Sequence, residues 1–197
     1  MNIAVFASHN GTDLQAIIDA CKQGVIRATV CVVISNNSDS TALVRAEKAG
    51  IDNYHISAKI YNDEETLNKE ILGILTSHRV DIIFLAGYLK KLGIPVLREY
   101  RNRIFNIHPA LLPSYGGQGM FGMNVHQAVI HAHEVESGIT VHRVTEEYDE
   151  GEIVAQTKIP VAVTDTAESL AEKILKVEHV FIVEVLNRII SGEISIE

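Results

Sequence analysis

The chain of 197 residues has no tryptophan, two cysteines, four prolines and fewer basic than acidic side chains. Each shortage excludes something. Cys21 and Cys31 are too few for a disulfide framework or a tetrahedral thiolate site, and both lie in apolar segments that suit a small buried hydrophobe. The low proline count, with 13 glycines, excludes collagenous and low-complexity classes. Seventeen Lys and Arg against 25 Asp and Glu leave a formal charge of −8, which argues against nucleic-acid binding driven by phosphate neutralisation. No run of about 18 apolar residues occurs, so no membrane association is expected. The first apolar run, Ile3–Ala7, lacks a basic leader and stops at Ser8-His9-Asn10-Gly11, unlike a signal peptide. A soluble, cytoplasmic protein is expected.

What is present describes an ordinary globular chain, 47% hydrophobic and 21% charged, long enough for one domain with a sizeable core. Short β-branched runs, Ile3–Ala7, Val30–Ile34 and Val80–Ala86, read as buried strands. Between them lie helix-period stretches at Leu14–Lys22, Thr41–Ala49 and Glu64–Ser77, with start signals at Asp13, Ser40 and Asn62-Asp63. Strand–helix–strand alternation predicts an α/β fold with a mostly parallel twisted sheet and helices on both faces. After Asn102 the pattern gives a strand to His108, a Gly- and Pro-rich stretch to Gly119, and a helix from about Asn124. An antiparallel pair, Ile139–Val144 and Ile153–Ile159, and a last amphipathic helix over about Ala167–Ser191, begun by Asp165-Thr166 and stopped by Gly192, complete it. One domain over residues 1–197 is expected.

In open α/β sheets, ligands collect beyond the carboxyl ends of the strands, so the segments following strands are where chemistry is sought. Ser8–Asp13 joins the first strand to its helix. Its lone glycine fits neither a dinucleotide fingerprint nor a Walker loop, and a sugar monophosphate at the helix N-terminus suits it better. The bland alternative is a plain turn with Asp13 as helix cap. Asn106 and His108 sit two apart on a strand, hence on one face, about 7 Å apart along the chain. An amide donor beside an imidazole acid is what a developing carbonyl oxyanion needs, although a histidine near a strand end is often structural. Glu146–Glu152 reads as a solvated acidic turn unless Asp149 turns inward to meet His108, where it would raise the imidazole pKa. Nine histidines show no zinc spacing, so no metal is expected, and no G-x-S-x-G serine nucleophile motif occurs.

Asn106-Ile107-His108-Pro109-Ala110-Leu111-Leu112-Pro113, followed by Tyr148-Asp149-Glu150-Gly151, resembles the folate-dependent formyltransferases. The likeness runs nearly end to end, through Asn10-Gly11-Thr12-Asp13-Leu14-Gln15, Phe84-Leu85-Ala86-Gly87-Tyr88, Gly138–His142 and Glu178-His179. It implies a Rossmann-like N-terminal half (about 1–100) for phosphate and a C-terminal half (about 101–197) for folate. It further implies transfer of the formyl group of 10-formyltetrahydrofolate, as cosubstrate, to the amine of glycinamide ribonucleotide (GAR) in purine biosynthesis. Asn106, His108 and Asp149 would be catalytic. Gly11, Thr12, Asp13 and Glu178 would bind the acceptor, while Leu89, Lys90, Lys91, Leu92, Thr145, Glu146, Glu147 and Tyr148 would border the folate. Both ligands are small molecules, and the chain would act as a monomer or homodimer.

The sequence departs from the family pattern in places. Asp13 stands where asparagine is usual, Glu64 where a basic residue often contacts the folate tail, and Lys90 in place of a common arginine. Facing a phosphate, a carboxylate would repel, so Asp13 is expected to cap its helix and leave phosphate to backbone amides. Formylfolate hydrolases share the trio but use water as acceptor and usually carry an additional N-terminal domain; here the sequence starts at the first strand. Formylation of a transfer RNA would need a basic surface and a further C-terminal domain, and sugar-nucleotide formylation an extra module. From another class, a non-catalytic nucleotide-binding module would leave Asn106, His108 and Asp149 as packing residues.

Overall fold

The computed structural model describes residues 1–61 and 63–196, so Asn62 of the third helix's start signal lies outside the described residues. The strands are β1 (Asn2–Phe6), β2 (Thr29–Ser35), β3 (Asp52–His55), β4 (Ile82–Leu85), β5 (Ile104–His108), β6 (Glu136–Arg143) and β7 (Ile153–Pro160). Helices α1 (Thr12–Lys22), α2 (Thr41–Ala49), α3 (Glu64–Ser77), α4 (Ile94–Glu99), α5 (Met123–His131) and α6 (Ala167–Ile190) pack around them. All strands form one seven-stranded sheet in the order β3-β2-β1-β4-β5-β6-β7. Pairing is parallel through β5 and antiparallel from β5 through β6 to β7.

Burial on both faces explains the continuous apolar strands. In β1, Ile3 and Val5 point into a core shared with α1, α2 and α6, while Ala4 and Phe6 point into a second core with α3 and α4. Strand β4 alternates the same way, with Ile82 and Phe84 on one side and Ile83 and Leu85 on the other.

Three helix starts follow the expected capping chemistry. The Ser40 hydroxyl accepts from Ala42 N–H, the Asp63 carboxylate from Thr66 N–H, and Thr166 and Ser169 form a reciprocal capping box. Helix α1 differs from the expectation. It starts at Thr12 with Gly11 as N-cap in the left-handed region (φ 64°), and no side chain caps it. Asp13 is therefore not a cap, because its carboxyl turns away from the first-turn amides toward α6, where Glu178 and His179 meet it.

Strand β3 and helix α4 go beyond the sequence reading. Asp52-Asn53-Tyr54-His55 is a short polar edge strand paired with β2 alone, and α4 spans six residues with proline in its first turn. Neither is long enough to display a period.

Candidate active site

Strand order reverses beside β1, since the chain leaves β2 and β3 on one side and crosses to β4 and β5 on the other. Such a switch point opens a crevice beyond the strand ends. Ser8 ties the two loops that flank it. Its N–H donates to Gly87 O at 3.1 Å, its hydroxyl accepts from Leu89 N–H at 2.8 Å, and the same hydroxyl donates to Asn36 Oδ1 at 2.5 Å. The crevice opens into a cavity of about 900 Å³ walled by residues 9–13, 85–92, 106–109, 117–124 and 144–149 and by one face of α6. The residues assigned in the sequence to the catalytic trio, the acceptor and the folate border all line this cavity.

At its centre, Asn106, His108 and Asp149 meet. Asp149 Oδ1 lies 3.5 Å from Asn106 Nδ2, and Oδ2 lies 3.6 Å from His108 Nδ1. Asn106 and His108 thus share a face of β5, as strand alternation requires. Asp149 reaches inward from a residue held at φ 59°, a left-handed conformation unusual outside glycine. Gly117 N–H donates to its Oδ2 at 2.9 Å.

Electrostatics within the trio are a contest between burial and charge. Burial alone would raise the Asp149 carboxyl. The close approach of the His142 ring, the charge of the neighbouring imidazoles and the Gly117 amide outweigh it and hold the group below the usual carboxylate range. His108 is 4% exposed, and burial pushes its pKa below the ordinary 6.5 despite the upward pull of Asp149. The expected rise is therefore not what the resting site shows. Nε2–H of His108 donates to Tyr115 O at 2.7 Å, which fixes the neutral tautomer with a bare Nδ1 facing Asp149.

The cavity end near α1 holds Gly11, Thr12, Asp13 and Glu178. A Cβ at Gly11 would fall 2.7 Å from Ala42 Cβ, so the glycine lets α2 dock on the loop. That docking continues with Ala42 N–H and Ser40 Oγ donating to His9 O and the Arg45 guanidinium to Asn10 O. With no side-chain cap, the first-turn amides of α1 remain as donors. Burial raises the Asp13 carboxyl to about 6, while burial and then Asp13 raise Glu178.

Segments 89–92 and 145–148 face one another at the other end. Lys91 Nζ sits 3.0 Å from Glu147 Oε2 and 4.9 Å from the centre of the Tyr148 ring. Leu92 is buried, whereas Lys90, Lys91 and Thr145–Tyr148 are exposed, giving this end a polar rim. Glu64, by contrast, is an exposed first-turn residue of α3 and does not border the cavity.

Two functional neighbours escaped the sequence reading. His142 stands opposite Asn106 in the β5–β6 register. Its Nδ1–H donates to Arg143 O at 2.8 Å, and Nε2 lies 3.0 Å from Asn106 Nδ2 and 3.3 Å from Asp149 Oδ1. Thr140, opposite His108, donates to Ala110 O at 2.6 Å and accepts from Leu112 N–H and Gln156 Nε2, anchoring the chain just after the trio. The alternation Ile139-Thr140-Val141-His142 carried this signal, since its polar face is the one that meets Asn106 and His108. On α5, buried His126 borders the cavity with Nδ1 unpartnered. Among the described residues, no cluster of three or more His, Cys, Asp or Glu could hold a metal ion, and no helix is long and apolar enough to cross a membrane.

An amide, an imidazole and a carboxylate gathered at the strand ends of a Rossmann-like sheet are the groups that acid–base group transfer uses. The chain belongs to the formyl transferase family, whose model matches residues 1–186. It is 36% identical over 179 residues to the phosphoribosylglycinamide formyltransferase of Escherichia coli (strain K12), covering 91% of this chain and 82% of that protein. The chloroplastic phosphoribosylglycinamide formyltransferases of Vigna unguiculata and Arabidopsis thaliana are 40% and 37% identical, and the chain spans 59% and 66% of their lengths. Among solved structures, glycinamide ribonucleotide transformylase 1 from Symbiobacterium toebii superposes with a TM-score of 0.92 at 36% identity, over 100% of this chain and 91% of that one.

Proposed function

We propose that the chain transfers the formyl group of 10-formyltetrahydrofolate to the amine of GAR, giving formyl-GAR and tetrahydrofolate in purine biosynthesis. The observation that carries this reading is the meeting of Asn106, His108 and Asp149 in the wall of a cavity of about 900 Å³. The proposal includes a cytoplasmic enzyme acting on small molecules as a monomer or homodimer. Its N-terminal half (about 1–100) serves mainly the phosphate and its C-terminal half (about 101–197) mainly the folate, while Glu178 and residues 89–92 cross that division.

In the first step the GAR amine attacks the formyl carbon, a C–N bond forms, and the carbonyl oxygen becomes an oxyanion. Asn106 supplies a donor: its second N–H reaches Asp149 only at 3.5 Å, a weak bond that can be given up to the oxyanion. The amine loses a proton as it bonds. Nδ1 of neutral His108 accepts it, and Asp149 stabilises the imidazolium so formed. That imidazolium supports the oxyanion and then protonates N10 of the folate, directly or through a water ordered by Asp149. The oxyanion collapses, the bond from carbon to N10 breaks, and tetrahydrofolate leaves. Most of the rate enhancement is positioning and electrostatics.

Release of tetrahydrofolate from 10-formyltetrahydrofolate, followed with and without GAR, tests the reading. Release that requires GAR, with formyl-GAR as product, supports it. Equal release in both makes water the acceptor, and no release from folded protein overturns catalysis altogether.

A further inference from the structure

Asp13 has a buried carboxyl with an unusual set of neighbours. It is 8% exposed, borders the cavity, and its Oδ1 has no hydrogen-bond partner. Glu178, also 8% exposed, borders the same cavity from α6, and burial and then the charge of Asp13 raise its carboxyl. The nearest basic group is His179, whose Nε2 lies 3.6 Å from Asp13 Oδ1 and is likewise buried and unpartnered.

Among the described residues, no Lys or Arg side chain pairs with the Asp13 or Glu178 carboxyl to give it a fixed positive charge. Burial and then the Arg45 guanidinium hold His179 below the ordinary histidine value, so at neutral pH its ring is uncharged. Arg45, on α2, spends its own donors on Asn10 O at 2.8 Å and Gln15 Oε1 at 3.1 Å. His9, from the β1–α1 loop, borders the cavity with an exposed side chain. Two buried carboxyls without a cation are stabilised by a proton, as in carboxyl pairs that cannot both ionise.

We propose that the buried carboxyls of Asp13 and Glu178 are proton-linked to the acceptor subsite, so that seating a phosphorylated acceptor at the α1 N-terminus makes them take up a further proton from solvent. The proposal rests on the reading that the acceptor phosphate lies at the α1 N-terminus. A phosphate dianion brought to the first-turn amides adds negative charge beside the pair, so binding and protonation favour each other. Once protonated, the pair presents O–H donors as well as carboxyl acceptors, which suits hydroxyl groups next to the phosphate on a sugar. The acceptor class is thus a phosphate monoester with neighbouring hydroxyls. Asp13 makes its binding weaken as pH rises; an amide at this position would not.

Two measurements decide the matter. The first is KM for GAR from pH 5.5 to 8.5 in the parent chain and in Asp13→Asn, whose shared dependence on the acceptor's own ionisations cancels in the ratio. The parent-to-variant ratio should grow with pH, by up to tenfold per unit, the limit for one linked proton. A ratio that stays constant across the range overturns the proposal. The second is calorimetric titration with ribose 5-phosphate near pH 7 in two buffers of different ionisation enthalpy. The parent should take up a substantial fraction of a proton more than Asp13→Asn, and Glu178→Gln should reduce the uptake as well. Equal uptake in all three, or no binding by the parent, contradicts the proposal. If GAR supports no formyl transfer, the assigned reaction fails on its own, and the ribose 5-phosphate titration still decides the proton linkage.

Discussion

At the residue scale, burial and charge oppose each other differently in each acid of the cavity. Asp149 stays ionised because its partners outweigh its burial, and that charge opposes the burial that depresses His108. Asp149→Asn should therefore lower the His108 pKa further, which an imidazole NMR titration would register, and should slow turnover by about 10² or more. A His108 titration unchanged by the substitution would contradict the coupling. Either Asn106→Ala or His108→Ala should cost about 10² in rate, of order 3 kcal/mol, in steady-state assays of folded protein. Asp13 runs the other way. Its folded pKa of about 6 lies above the unfolded 3.8, so the folded state holds the extra proton, and stability falls as pH rises through that window. Asp13→Asn removes the loss. Denaturant melts should show its advantage over the parent growing by roughly 2 kcal/mol between pH 4.5 and 7, then levelling.

Asn106 and His108 were legible as a same-face pair because strand period places them together, whereas Asp149, in a turn that reads as solvated unless one carboxylate turns inward, depended on the family resemblance. His142 was not, because its role depends on which residue of β5 lies opposite, and cross-strand register is set by the fold. The capping role expected of Asp13 failed for a comparable reason: a carboxylate in the first turn can serve its own helix or a neighbouring one, and α6 is the neighbour that decides.

At the element scale, the site is held by close approaches between loops and neighbouring elements. Gly11 combines φ 64° with a Cβ position 2.7 Å from Ala42 Cβ. Gly11→Ala must therefore strain the turn and displace α2, lowering stability by about 1–3 kcal/mol in thermal or chemical melts. Gly151 follows the turn that carries Asp149, and a Cβ there would lie 1.8 Å from Arg143 O, a backbone atom that cannot swing aside. Strand β3 and helix α4 stayed hidden for lack of length and period, whereas the long helix α6, with its capping box and amphipathic pattern, was readable from Thr166 onward.

At the scale of the whole molecule, function follows from where the sheet changes direction. Strands β1 and β4 carry loops to opposite faces, β5 brings the amide and imidazole to the resulting crevice, and the β6–β7 connection returns the carboxylate to it. Parallel order, burial on both faces and the antiparallel end of the sheet were all visible in the alternation of strand and helix patterns. The strand sequence across the sheet was not, because pairing between distant strands leaves no local mark.

The most direct test of the account is the fate of the formyl group in a single turnover, with enzyme in excess over 10-formyltetrahydrofolate labelled at the formyl carbon and GAR present. Label recovered in formyl-GAR, with little in formate, is the predicted result. Label recovered as formate in the presence of saturating GAR would make water the acceptor and contradict the account.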